Sequence, residues 1–344
     1  RQNSTSMAKT SVYLLNFILI IASGNLVSCT KSTDSTDDLT GNWIASSDFD
    51  GDARSEATGF TIGSKTYICT GTTSTERYTD LWEYDNNLKY WTQKADLPGV
   101  ARNSAVSFVI NGKGYLSTGY DGVNMLKDLW EYDPALNKWT KKADFPGSGR
   151  YDAVGFSINN KGYLCSGFDG NYLKDLWEYD PASNAWTQKA SLGGSKRSAA
   201  MSFTLNNVAY VVSGNNNGAA LNDLWAYDPT TDTWTQKRKI TNVSDETFDD
   251  AYSSIARFNG VMFVMGSVAY LATGESGSNL STTWAYDVET DVWTQKSGFE
   301  GSARTGAVAF SLDDRGFVLT GRNGSLSYDN MYELKPLDEL NTDD

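Results

Sequence analysis

The tryptophans of this chain are evenly spaced. One series stands at Trp82, Trp130, Trp177, Trp225 and Trp284, and a second lies nine residues later at Trp91, Trp139, Trp186, Trp234 and Trp293. Both advance in steps of 48, 47, 48 and 59 residues. Tyr332 continues the first series 48 residues after Trp284, and Trp43 precedes the second by 48, so all 11 tryptophans belong to one pattern. A fixed period of this length means that one small unit recurs and buries its apolar face against its neighbours.

The unit begins with Arg, an alternating apolar run, a turn containing Asn or Gly, and Gly-Tyr-x-x-x-Gly. A loop, Asp-Leu-Trp-Glu-Tyr-Asp-Pro and Trp-Thr-x-Lys complete it, most clearly in Ala101–Gly147. Alternation in Ala105–Ile110, Tyr115–Thr118, Leu129–Tyr132 and Trp139–Lys142 predicts four short strands per unit. Four antiparallel strands in a repeat of this size predict a blade of a β-propeller, and hence an all-β fold. The order of Tyr, Gly, Trp-x-Tyr-Asp and the second Trp resembles Kelch repeats from Trp43 to Leu334. The usual Gly-Gly pair is replaced by Thr-Gly or Ser-Gly, as at Thr118-Gly119 and Ser166-Gly167.

Six copies of the inner strands are present, but the last has no Trp strand after Tyr332-Glu333-Leu334. The Trp43 strand is a copy without a blade. Trp43 precedes Arg54 by 11 residues, as Trp91 precedes Arg102. A six-bladed propeller whose last blade is closed by the N-terminal strand follows. Closure removes sheet edges that otherwise invite aggregation. The propeller is expected over residues 41–336, with an acidic tail at 337–344.

Ahead of it, Val12–Ala22 is an apolar run of 11 residues behind Lys9, short for a membrane span. Leu26-Val27-Ser28-Cys29 resembles a bacterial lipobox. Residues 1–29 are therefore expected to be a lipoprotein signal peptide ending at Cys29, the lipidation site, and 30–40 a flexible tether. The expected location is the bacterial cell envelope, with the membrane a partner through the lipid anchor. Cys69 and Cys165 occupy the same position in non-adjacent repeats and are expected to be buried thiols.

The chain has no His. A Ser-His-Asp triad, a His general base and His-ligated metal are thereby excluded. A net charge of −13 argues against a nucleic-acid partner. No cofactor is expected. Asp48-Phe49-Asp50-Gly51-Asp52 has the look of a calcium loop but aligns with the ordinary Asp144-Phe145-Pro146-Gly147, so no metal is assigned.

A meander puts the loops between blades, and those between the second and third strands, on one face. That loop-rich face is favoured for binding. The repeat Arg opens the inner strand there at Arg54, Arg102, Arg150, Arg197 and Arg304. Alignment on Phe258 puts Asp250 in the fifth copy, with insertions at Lys237–Asp249 and Ser267–Thr283 making a lopsided rim. Such a ring suits bidentate capture of an anion, with Tyr120, Asp121, Phe168 and Asp169 as further candidates. The opposing reading pairs each Arg with a loop Asp such as Asp121 or Asp169 and leaves the ring structural.

Three functions stay open. One is a lipid-anchored, non-catalytic propeller holding an anionic glycan or an acidic protein segment. Another is a protein–protein scaffold. The third is a sialic-acid mutarotase-like enzyme, because N-acetylneuraminate epimerases are similar in blade number, secretion and use of Arg and carboxylates. No motif carries their catalytic residues onto this chain. Galactose-oxidase-like chemistry is excluded with His.

Overall fold

The computed structural model describes residues 39–343, and within them the chain is a six-bladed propeller. The expected signal peptide, Cys29 and most of the expected tether fall outside the described residues. The first blade consists of Thr58–Ile62, Lys65–Cys69, Leu81–Asp85 and Tyr90–Lys94, each antiparallel to the next. Inner strands of the next four blades are Val106–Ile110, Val154–Ile158, Met201–Leu205 and Val261–Met265. The sixth blade contains Val308–Leu312, Arg315–Leu319 and Met331–Glu339, and its outermost strand is Thr40–Ala45. Trp43 pairs with Leu334 there, as the spacing predicts.

Local chemistry repeats with the blades. The inner hairpins turn through two left-handed residues at Asn111-Gly112, Asn159-Asn160, Asn206-Asn207 and Asp313-Asp314. That matches the type I′ turn, whose twist suits paired strands and whose φ values Asn, Asp and Gly tolerate. In each blade the inner-strand Phe stacks on the second-strand aromatic, from Phe203 on Tyr210 at 4.5 Å to Phe263 on Tyr270 at 5.7 Å.

Neighbouring blades are latched by the turn before the outer strand. Asn137 Oδ1 accepts the Tyr132 hydroxyl at 2.9 Å and the Ala95 N–H of the preceding blade at 2.8 Å. Asn184 and Asp232 do the same one and two blades on. The Trp139 indole donates to Ala95 O at 2.8 Å, fastening the outer strand across the same seam. Trp43 ties the closing strand to the fifth blade through a different partner, a hydroxyl on that blade's third strand. It is fully buried, packs edge-on against Phe299 at 5.0 Å and donates to Thr283 Oγ1 at 3.1 Å. Cys69 and Cys165 are free and buried, as expected. Among the described residues no helix is long and apolar enough to cross a membrane.

Candidate ligand-binding mouth on the loop-rich face

Arg54, Arg102, Arg150, Arg197 and Arg304 each stand before an inner strand, but none is more than 1% exposed. Arg102 forks onto Asp128, Nη1 to Oδ1 at 2.6 Å and Nη2 to Oδ2 at 2.7 Å. Arg54 takes Asp80, Arg150 takes Asp175 and Arg197 takes Asp223 in the same way. Arg102 Nη1 also donates to Thr118 O at 3.1 Å, and the Trp130 indole donates to the same Asp128 at 2.7 Å. Burial opposes ionisation of Asp128, Asp175 and Asp223, yet the guanidinium beside each holds its carboxyl below the usual range.

The anion-capturing ring is thereby corrected. All five are buried inside their blades, out of a ligand's reach, and Arg54, Arg102, Arg150 and Arg197 are saturated there. The partners of those four are the Asp of Asp-Leu-Trp, not Asp121 or Asp169. Asp121 instead accepts the Val123 and Asn124 N–H groups of its own turn, and Asp169 accepts that of Asn171.

Asp250 is corrected as well. It is exposed, and the Arg of the fifth blade is Arg257, fully buried and donating to Thr273 O at 2.6 Å. Phe258 is not the counterpart of Ile62, because the inner strand begins three residues later, at Val261. Trp234 to Arg257 is 23 residues against the usual 11, whereas Arg257 to Trp284 is 27, equal to Arg150 to Trp177. All the surplus therefore lies in one loop, and Ser267–Thr283 carries no insertion. That loop is a wedge. Tyr252 accepts the Trp293 N–H at 2.6 Å, and Ile240, Tyr252 and Ile255 join the core between the fourth and fifth blades.

Two blades lack the acidic partner. Arg257 meets Thr282 Oγ1 at 2.8 Å and Thr282 O at 3.1 Å, and burial pushes it down to about 9. Arg304 meets Asn330 Oδ1 at 2.8 Å, its Nη2 has no partner, and burial pushes it down to about 10.

The mouth is built by the residues that follow these arginines. Two positions on stand Glu56, Ser104, Asp152, Ala199, Asn259 and Gly306, all left-handed with φ between 52° and 65°. Their backbones form a closed ring around the axis. Each N–H donates to the carbonyl of the preceding blade, from Glu56 to Gly306 at 2.7 Å through Asp152 to Ser104 at 3.2 Å. Left-handed backbone disfavours L-residues, but here it turns six amides tangentially so that each finds a partner in a crowded mouth.

Side chains break the symmetry. Glu56 accepts the Asn103 amide at 2.6 Å and meets Arg322 at 3.3 Å. Arg77 donates to Asn103 Oδ1 at 2.7 Å and makes no ion pair among the described residues. Arg77 and Arg322 both line a cleft of about 450 Å³ with Glu56, Asn103 and the hydroxyl residues Thr72 and Ser325. Across the mouth, Glu275 accepts the Thr305 hydroxyl at 3.0 Å. Burial pushes the Asp152 carboxyl up to about 7, and the Glu56 charge adds to it. Of the candidates from sequence, Tyr120 and Phe168 reach this rim. Tyr120 packs against Tyr151 at 5.4 Å and lies under Arg77 at 5.3 Å.

Glu56, Arg77, Asn103, Asp152 and Arg322 escaped sequence reasoning because they sit where the repeat has no consensus. That was the available signal: the second position after the Arg and the first after the second-strand Gly differ in every blade while their surroundings recur.

No curated protein matches the sequence. A solved structure titled "Structure of YjhT" superposes with a TM-score of 0.68 at 17% identity, covering 83% of this chain and 95% of that one. At that identity the likeness is one of fold. The domain family described as KLHDC2/KLHL20/DRC7 Kelch-repeats matches residues 148–321. That segment is half of the chain, its blades are those the tryptophan period marks out, and the protein belongs to the Kelch-repeat family.

Proposed function

We propose that this protein is a non-catalytic Kelch propeller that binds an anionic glycan at its loop-rich mouth, tethered to the bacterial cell envelope through Cys29. The observation that carries the reading is the pairing of Arg77 and Arg322 across one cleft lined by hydroxyl and amide groups. Arg77 has no counter-ion within 4.0 Å among the described residues, and Arg322 is 39% exposed. Guanidinium groups suit a carboxylate or sulfate, and hydroxyls and amides suit the polyol beside it. An acidic peptide segment would use the same two cations.

A glycan array with residues 37–344 tests this. Binding to acidic sugars that weakens with salt and is lost in the Arg77→Met, Arg322→Met double variant supports it. Absence of binding to every acidic sugar overturns it and favours the scaffold reading. Retention of label at Cys29 after growth with an alkyne fatty acid, and its loss in Cys29→Ser, tests the anchor.

One feature favours a second reading, acid/base chemistry on the same sugar class. Ser104 donates to Glu56 Oε2 at 3.3 Å and lies against the Asp152 carboxyl, which burial pushes up to about 7, so that a carboxyl able to hold a proton near neutral pH stands at the mouth. Mutarotation of N-acetylneuraminate above the uncatalysed rate, lost in Asp152→Asn, is the result that selects it.

A further inference from the structure

The cleft does not end at Arg77. The guanidinium lies over the Tyr120 ring, Tyr120 packs against Tyr151 at 5.4 Å, Tyr151 against Phe168 at 5.6 Å, and Phe168 against Tyr172 at 5.1 Å. Four aromatic rings thus run in an unbroken file along the rim of the second and third blades. All four are half-buried rather than part of the core.

The fold does not require them. Tyr120 and Phe168 bridge to Asn103 and Tyr151 as their counterparts bridge in the other blades. Those counterparts are Thr72, Asn215, Glu275 and Arg322, all polar. The backbone pattern is therefore indifferent to the side chain, and the aromatic file is an addition by two adjacent blades. It begins beneath Arg77, which also lines the cleft.

We infer that this file is a sugar-stacking subsite continuous with the anion cleft, so that the ligand is an oligosaccharide carrying an acidic unit rather than a single acidic sugar. The acidic unit sits between Arg77 and Arg322, and the neighbouring pyranoses lay their C–H faces on Tyr120, Tyr151 and Phe168. Aromatic rings with a wet edge suit that contact, being apolar on the face and polar at the tip. This rests on the glycan-binding reading and specifies its substrate class.

The test is calorimetric titration of the propeller, residues 37–344, which is compact by itself. Two probe pairs are used: N-acetylneuraminate against 3′-sialyllactose, and glucuronate against a hyaluronan tetrasaccharide. In at least one pair the oligosaccharide is expected to bind about tenfold or more tighter than its acidic monosaccharide. Tyr151→Leu with Phe168→Leu should abolish that gain and leave the monosaccharide unchanged, while Tyr151→Phe should keep it. Equal affinity within both pairs overturns the subsite even if the Leu variants fail to fold, because it is read on the native protein. An oligosaccharide gain that survives the Leu variants also overturns it, with the anion cleft left standing. Failure of all four probes overturns the glycan-binding reading itself.

Discussion

Arg102 and Asp128 form a two-pronged ion pair in the second blade, and the arginine is wholly shielded from solvent. The pair joins the residue that opens the inner strand to the residue that opens the third. It therefore ties the blade together at its loop-rich end. Breaking a buried pair by removing one partner leaves the other charge uncompensated and costs about 3–5 kcal/mol. Arg102→Ala should show that loss in urea unfolding. Arg322→Met, on the rim, should change stability by less than about 0.5 kcal/mol and change ligand binding instead.

The sixth blade offers the converse. Arg304 faces Asn330 where four other blades present Asp. Asn330→Asp supplies a second oxygen for the orphaned Nη2 and a counter-charge. A hydrogen bond to a charged group exceeds a neutral one by about 1 kcal/mol, so the variant should melt a few degrees higher. A lower melting temperature would mean that the sixth blade cannot accept the geometry of the others.

Closure depends on Trp43. Its side chain fills a space between Phe299, Phe263 and Leu334 with no solvent contact. Trp43→Ala should cost about 3–5 kcal/mol as a cavity. Amide exchange should then quicken first in Met331–Glu339, the strand that Thr40–Ala45 covers. Truncation to residue 47 exposes that strand as an unpaired edge, and light scattering should report association.

The Asp152 carboxyl links stability to pH. Burial at the mouth and the charge of Glu56 push it up to about 7, against an ordinary value of 3.8. The folded state therefore holds this proton more tightly than the unfolded state does. The contribution to stability is full below about pH 4 and is lost as pH rises through 7. Asp152→Asn should flatten that part of the curve and leave the protein more stable than wild type at pH 8. Melting curves from pH 4 to 8 check the sign.

Much of the fold is legible in the chain because a propeller is a nearest-neighbour structure. Each Trp packs against the adjacent blade, so a constant spacing reports a constant contact, and the unpaired Trp43 finds the unpaired strand before Tyr332. The Arg ring was half legible. Every Arg is followed 25 or 26 residues later by the Asp of Asp-Leu-Trp in the first four blades, a pairing visible in spacing alone. Distance of Arg to the Thr or Ser before the second Gly, always 16, likewise marks Arg257 rather than Asp250.

What the sequence determined by itself was the repeated part: blade number, strand order, the closing strand and the exclusion of His chemistry. Those properties follow from local period and composition. Only the tertiary structure decided which charges face solvent. The side chains of Glu56, Arg77, Asp152 and Arg322 come from three different blades and obey no period. They meet because a ring brings the first blade against the sixth and turns its irregular positions toward one axis. Burial then removes the conspicuous arginines from the surface and leaves the inconspicuous ones at the mouth.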